Sequence, residues 1–107
     1  MLKLEKLEKY VKENTGLEIE PLDYGLVVSG TFGKFRTDLF INTWSDNSTY
    51  TCKGGISMIE DATSVGLVEV SKTLKSEEEI IYLIQSMTSS CIVIMEFLRK
   101  QREFLNL

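Results

Sequence analysis

No histidine occurs among the 107 residues. Any proton transfer near neutral pH would therefore rest on carboxylates, Lys, Tyr or Cys shifted from their ordinary pKa values. The set nearest to a reactive constellation is Asp38 with Glu69 and Lys72, an acid and lysine combination of the kind a metal-dependent nuclease employs. Its spacing matches no metal-binding pattern, so neither a metal nor another cofactor is expected. Cys52 and Cys91 are the two cysteines. Neither forms a CxxC and neither has an adjacent base, which makes them buried, reduced thiols rather than nucleophiles or zinc ligands. No catalytic residue is assigned, and the chain is not expected to be an enzyme.

Glycine-rich stretches offer a second kind of chemistry. Gly30-Thr31-Phe32-Gly33 matches the letters of a GxxG nucleotide clamp, and Lys34 follows as in a phosphate loop. A KH clamp, however, lies between helices, whereas strands flank this stretch. A phosphate loop needs four residues between its glycines and a Ser or Thr after the Lys, where this chain has Phe35. A turn between strands is the reading adopted. Gly54 and Gly55 precede Ser57 without bracketing it, so no nucleophile elbow is formed. Asn47-Ser48-Thr49 is a glycosylation sequon, which carries no weight without a secretory signal.

The element that must organise everything else is a helix over residues 76–105. Ser76 followed by Glu77, Glu78 and Glu79 is a capping box, with the Ser hydroxyl accepting from the Glu79 amide and Glu79 reaching back to the Ser76 amide. The acids suit the positive end of the helix dipole, and Arg99, Lys100 and Arg102 suit the other end. Ile80, Ile84, Met87, Cys91, Ile94 and Leu98 recur at spacings of three and four, one continuous seam for a sheet. Residues 91–95 are apolar without a break and point in every direction, so at that level the helix is expected to be covered all round. Tyr82, Ser86, Ser90, Val93 and Phe97 form a further face where small residues would admit another helix or strand.

Ahead of this helix the chain alternates cleanly enough to be divided. Residues 2–14 make an amphipathic helix with Leu4, Leu7 and Val11 on one side and Glu-to-Lys pairs four apart on the other; Gly16 stops it. Residues 17–22 form a strand that Pro21 places at an edge. Residues 26–29 form a second strand, and residues 30–33 a turn. Residues 35–44 form a third, with Phe35, Leu39 and Ile41 on one face and Arg36, Asp38, Phe40, Asn42 and Trp44 on the other. Residues 45–48 turn a hairpin into a strand over 49–57 with Tyr50, Cys52 and Ile56 inward. Gly54 and Gly55 are expected to bulge or bend it. Residues 58–64 read as a loop and 65–73 as the last strand. The fold class is α+β: an N-terminal helix, an antiparallel meander of four to five strands, and a long C-terminal helix packed on one sheet face, two layers in a single domain over 1–107.

Composition narrows the function classes. A net charge of −4 and a pI near 4.9 disfavour a protein held to nucleic acid by phosphate neutralisation, so nucleic acid is not an expected partner. The first ten residues mix Lys and Glu with Leu, unlike a signal peptide, and the longest unbroken apolar run is too short for a bilayer. The expected location is the cytoplasm, with no membrane partner.

Size then supplies the functional expectation. About 29 helical residues span roughly 43 Å, longer than the diameter of about 34 Å of a compact chain this size. The overhang, which carries Phe97, Leu98, Phe104, Leu105 and Leu107, needs a second surface. A homodimer through the C-terminal helix meets that need, as would a kink or the N-terminal helix folding over. The chain is therefore expected to be a small non-catalytic protein-interaction module, of the inhibitor or adaptor type found in phages and mobile elements, that binds another protein. Its helix, curved sheet and long helix are similar in layout to secretion chaperones, without the central helix of those proteins. The interface residues assigned are Arg36, Phe40, Trp44, Val93, Phe97, Phe104 and Leu105, since exposed aromatics beside Arg are common anchors. Phe40 and Trp44 would be core instead if the N-terminal helix covered that face. The alternative is a small-molecule or nucleotide binding domain with a pocket between sheet and long helix, lined by Trp44, Tyr50, Met87 and Met95.

Overall fold

A computed structural model describes residues 4–14, 16–43 and 49–104. The chain runs α1 (Glu5–Glu13), β1 (Leu17–Leu22), β2 (Gly25–Phe32), β3 (Phe35–Asn42), β4 (Tyr50–Glu60), β5 (Thr63–Leu74) and α2 (Glu77–Phe104). The five strands form one antiparallel sheet in sequential order, β1-β2-β3-β4-β5, as connection lengths of a few residues dictate. Both helices lie on the same face of it.

Alternation sets which face that is. In β3, Phe35, Thr37, Leu39 and Ile41 are buried, while Arg36, Asp38, Phe40 and Asn42 occupy the opposite side. Tyr50, Cys52 and Ile56 continue the buried row on β4, matching the faces expected from the sequence. Leu7 and Val11 of α1 join Leu26, Leu39, Ile41, Tyr50 and Cys52, with Ile80, Ile84 and Met87 of α2, in one core. Cys91 meets Phe35 and Ile56 in a smaller core farther along α2. Burial of such aliphatic side chains stabilises by about 1.5–3 kcal/mol each, which is why a helix of this seam cannot leave the sheet.

Because α1 packs beside α2 and over β1, no helix among the described residues covers the outer face. Phe40 is half-buried there and Arg36 is exposed, so the alternative in which the N-terminal helix covers Phe40 is not realised. Trp44, the expected hairpin turn over 45–48 and Leu105 lie outside the described residues.

Three local expectations are corrected. The turn expected over residues 30–33 shrinks to Gly33 and Lys34, since β2 extends to Phe32, opposite Phe35; Gly33 takes the left-handed φ of 62°. The loop expected over 58–64 is a tight hairpin. Asp61 and Ala62 both adopt positive φ, 50° and 66°, the geometry that matches the twist of paired strands. The bulge falls between Ile56 and Ser57, where Leu67 of β5 is the extra residue, and not at the glycines. Gly54 and Gly55 stay in register because strands close in on them: a Cβ at Gly54 would collide with the Asp38 carbonyl, and one at Gly55 with that of Val68.

Candidate functional site

The Ser76 cap forms. Its Oγ accepts the Glu79 amide at 3.2 Å, while the Glu79 carboxylate accepts the amide of Lys75 at 3.1 Å, one residue earlier than expected. From this start α2 turns back antiparallel to β5 and crosses β2, β3 and β4. The molecule is 55 Å along its longest axis, so the helix is the longest element of an elongated body.

The sheet is therefore wider than its cover. Cross-strand partners share a face, and the pairs Phe35–Met58–Val65 and Ile56–Val68 put Val65 and Val68 on the helix-bearing side. Val70 and Leu74 pack against the edge of the core, but Val65 and Val68 remain 53% and 44% exposed. The flank of α2 facing this strip carries Tyr82, Val93 and Phe97, which are 71%, 66% and 59% exposed. Between β5 and the start of α2 lies an open depression of about 460 Å³, lined by Lys72, Leu74, Glu79, Tyr82, Leu83 and Ser86.

The small residues of this flank are already satisfied. Ser86 Oγ donates to the Tyr82 carbonyl at 2.9 Å, and Ser90 Oγ to the Ser86 carbonyl at 2.8 Å. Turned back onto their own helix, these hydroxyls leave a shallow surface with little unmet polarity. The expectation that the apolar run over 91–95 is covered on every side fails within one chain, since Ile92 and Val93 are exposed. Nor does α1 shield the far end: it is tied to the opposite end of α2 through Lys6–Glu78, at 2.6 Å, and Leu7–Glu77.

The other assigned residues fall elsewhere. Arg36 is paired with Asp38 at 3.1 Å on the outer face, away from Val93 and Phe97, so the interface residues form two separate sets. Phe104 closes α2. Of the residues assigned to a ligand pocket, Tyr50 and Met87 are packed in the main core. Met95 instead lines a surface depression of about 380 Å³ with Gly33, Phe35, Met58 and Leu98. The structure does not bring Tyr50, Met87 and Met95 to one cavity.

Possible reaction chemistry is equally dispersed. Asp38 and Glu69 flank Gly55 in one row of the outer face, whereas Lys72 is opposite Cys52 on the inner one. Among the described residues no cluster of three potential metal ligands forms. Both thiols are free and buried; burial pushes Cys52 up to about 11 and also raises Cys91, the direction that suppresses nucleophilicity.

Sequence reasoning missed β5 as part of the surface. Its Val-rich composition signalled a strand, but only the strand order reveals that the covering helix stops short of it. One further correction concerns the bilayer. By length and composition α2 is capable of crossing one, because residues 80–97 contain a single charged side chain, Glu96; polar Gln85 and residues 88–90 had broken the apolar run without adding charge. Yet Ile80, Ile84, Met87 and Cys91 of this helix are the cover of the sheet, so insertion would strip the core.

No known protein family, curated protein or solved structure matches this chain.

Proposed function

We propose that this chain is a small, non-catalytic, cytoplasmic interaction module that binds another polypeptide through the flank of α2 and the uncovered inner face of β5. The observation carrying this reading is the set of exposed apolar side chains on two elements, Tyr82, Val93 and Phe97 on the helix with Val65 and Val68 on the helix-bearing face of the strand, and the open depression beside Tyr82. Large exposed apolar side chains gathered on one side of a fold are the mark of an interface. It departs from the solvated outer face, where Arg36 is neutralised by Asp38. An inhibitor or adaptor, of the type carried by phages and mobile elements, acts in this way, by occupying a surface and not by turnover.

Affinity capture from the source cell tests the reading, with the full chain as bait beside Val93→Glu and an outer-face control, Lys53→Glu. A polypeptide, foreign or a second copy of this chain, held by the parent and the control but released by Val93→Glu is the expected result. Equal capture by all three baits would place binding elsewhere.

A further inference from the structure

We infer that the occupant of the α2 flank is a second copy of this chain, docked by its own α2 in antiparallel sense, with the two-fold axis passing between Ser89 and Ser90. This deepens the interaction reading above and rests on it.

The inference comes from the order of residues along the exposed flank, which is symmetric about that point. Ser86 lies three residues before Ser89, and Val93 three after Ser90; Tyr82 lies seven before, and Phe97 seven after; Glu79 lies ten before, and Lys100 ten after. Steps of three, seven and ten keep to one side of a helix. Two antiparallel copies therefore meet serine to serine at the crossing, Ser86 against Val93 of the second copy, Tyr82 against Phe97, and Glu79 against Lys100. Each contact occurs twice, as an isologous interface requires. Small residues at the crossing admit close approach of the helix axes, and the Ser90 hydroxyl, already bonded to the Ser86 carbonyl within the helix, needs no partner across it.

Charge selects the antiparallel sense. Glu77, Glu78 and Glu79 fill the first turn and Arg102 the last, with Lys100 just before it. Antiparallel docking sets acidic start against basic end twice and opposes the helix dipoles, whereas parallel docking would stack like charges. Lys100 makes no ion pair among the described residues, while its neighbour Arg99 is held by Glu96 at 2.6 Å and Glu103 at 3.0 Å. Lys100 is thus left available to Glu79 of the second copy.

Geometry favours the same occupant. A helix seated beside α2 on its β5 side lies over Val65 and Val68, the strip left bare by the chain's own helix. The aromatic side chains offer roughly 150–250 Å² each. Two Tyr82 and two Phe97 at their observed exposure, together with the valines and serines, bring the buried surface to on the order of 1,000 Å², at the lower limit for a specific complex.

Engineered cysteines read out the register. Under mild oxidation Ser90→Cys is expected to form a covalent dimer, and so is the double variant Tyr82→Cys with Phe97→Cys, whereas Tyr82→Cys alone stays monomeric because its copies lie far apart. Cross-linking of Tyr82→Cys as efficient as that of Ser90→Cys would overturn the antiparallel register. Charge gives a readout in the unmodified interface. Lys100→Glu is expected to weaken the dimer about twofold to tenfold, and adding Glu79→Lys to restore part of it, with circular dichroism confirming the fold of each variant. A dimer indifferent to both changes also overturns the register. If the chain captures a foreign protein through Val93 yet never cross-links to itself, this inference fails while the interaction reading stands.

Discussion

The carboxylate of Glu77, the first residue of α2, accepts the backbone amide of Leu7 in α1 at 3.0 Å. Leu4 occupies the N-cap of α1 and supplies no side-chain cap, so one of the orphan amides of that helix is satisfied from the other end of the chain. Replacing Glu77 by Ala should cost about 1 kcal/mol in urea unfolding, the typical worth of a lost cap. Replacing Glu78, whose ion pair with Lys6 lies exposed to solvent, should shift stability by less, within about 0.5 kcal/mol.

The hairpin between β4 and β5 holds Ala62 at a φ of 66°, where an L side chain crowds its own backbone at a cost of about 1–2 kcal/mol. Glycine has no such penalty. Ala62→Gly should therefore stabilise the fold by about 0.5–1 kcal/mol, against the usual loss for introducing glycine, measured as a rise in the denaturation midpoint.

Two glycines on facing strands separate steric need from accident. Gly54→Ala forces a methyl group into the Asp38 carbonyl and should destabilise by about 1–3 kcal/mol or more. At Gly66 nothing lies within 4 Å of the added atom, and the same change should stay within about 0.5 kcal/mol.

Much of this architecture is legible in the amino-acid order itself. The three-and-four spacing from Ile80 to Cys91 specified which side of α2 meets the sheet, and alternation around Leu39 and Cys52 specified the buried face, because burial imposes those periods directly. Asp61-Ala62 was not legible as a turn: the familiar signal is Asn-Gly or Asp-Gly, and the strands on either side forced Ala into the conformation. Nor could Gly54 and Gly55 be told from a bulge, since close strand approach and strand irregularity both favour glycine. On the flank of α2, the exposure of Val93 and Phe97 is readable from helical phase. The contribution of Val65 and Val68 was not, because it depends on how many strands one helix can cover, a property of the assembled sheet. Arg36 and Phe40 are placed on the outer face by alternation, whereas the Arg36–Asp38 pair is a matter of side-chain placement that no sequence period reveals.

Burial of the Cys52 thiol raises it from an ordinary 9.0 to about 11. The folded chain then keeps a proton that the unfolded chain releases between these values, so stability should fall as pH rises from about 9 to about 11. At pH 8 a thiol reagent such as dithionitrobenzoate should react slowly with native protein and rapidly with both cysteines in denaturant. Rapid reaction of the native chain would show that the core opens locally.

Multi-angle light scattering of the untagged chain, from one to one hundred micromolar, tests the central claim most directly, namely that the α2 flank and β5 form an interface completed by a second copy. The expected result is a mass approaching twice 12.2 kDa at the upper concentrations, reverting to a single chain in Val93→Glu. A single-chain mass throughout, or a dimer untouched by that substitution, would contradict it.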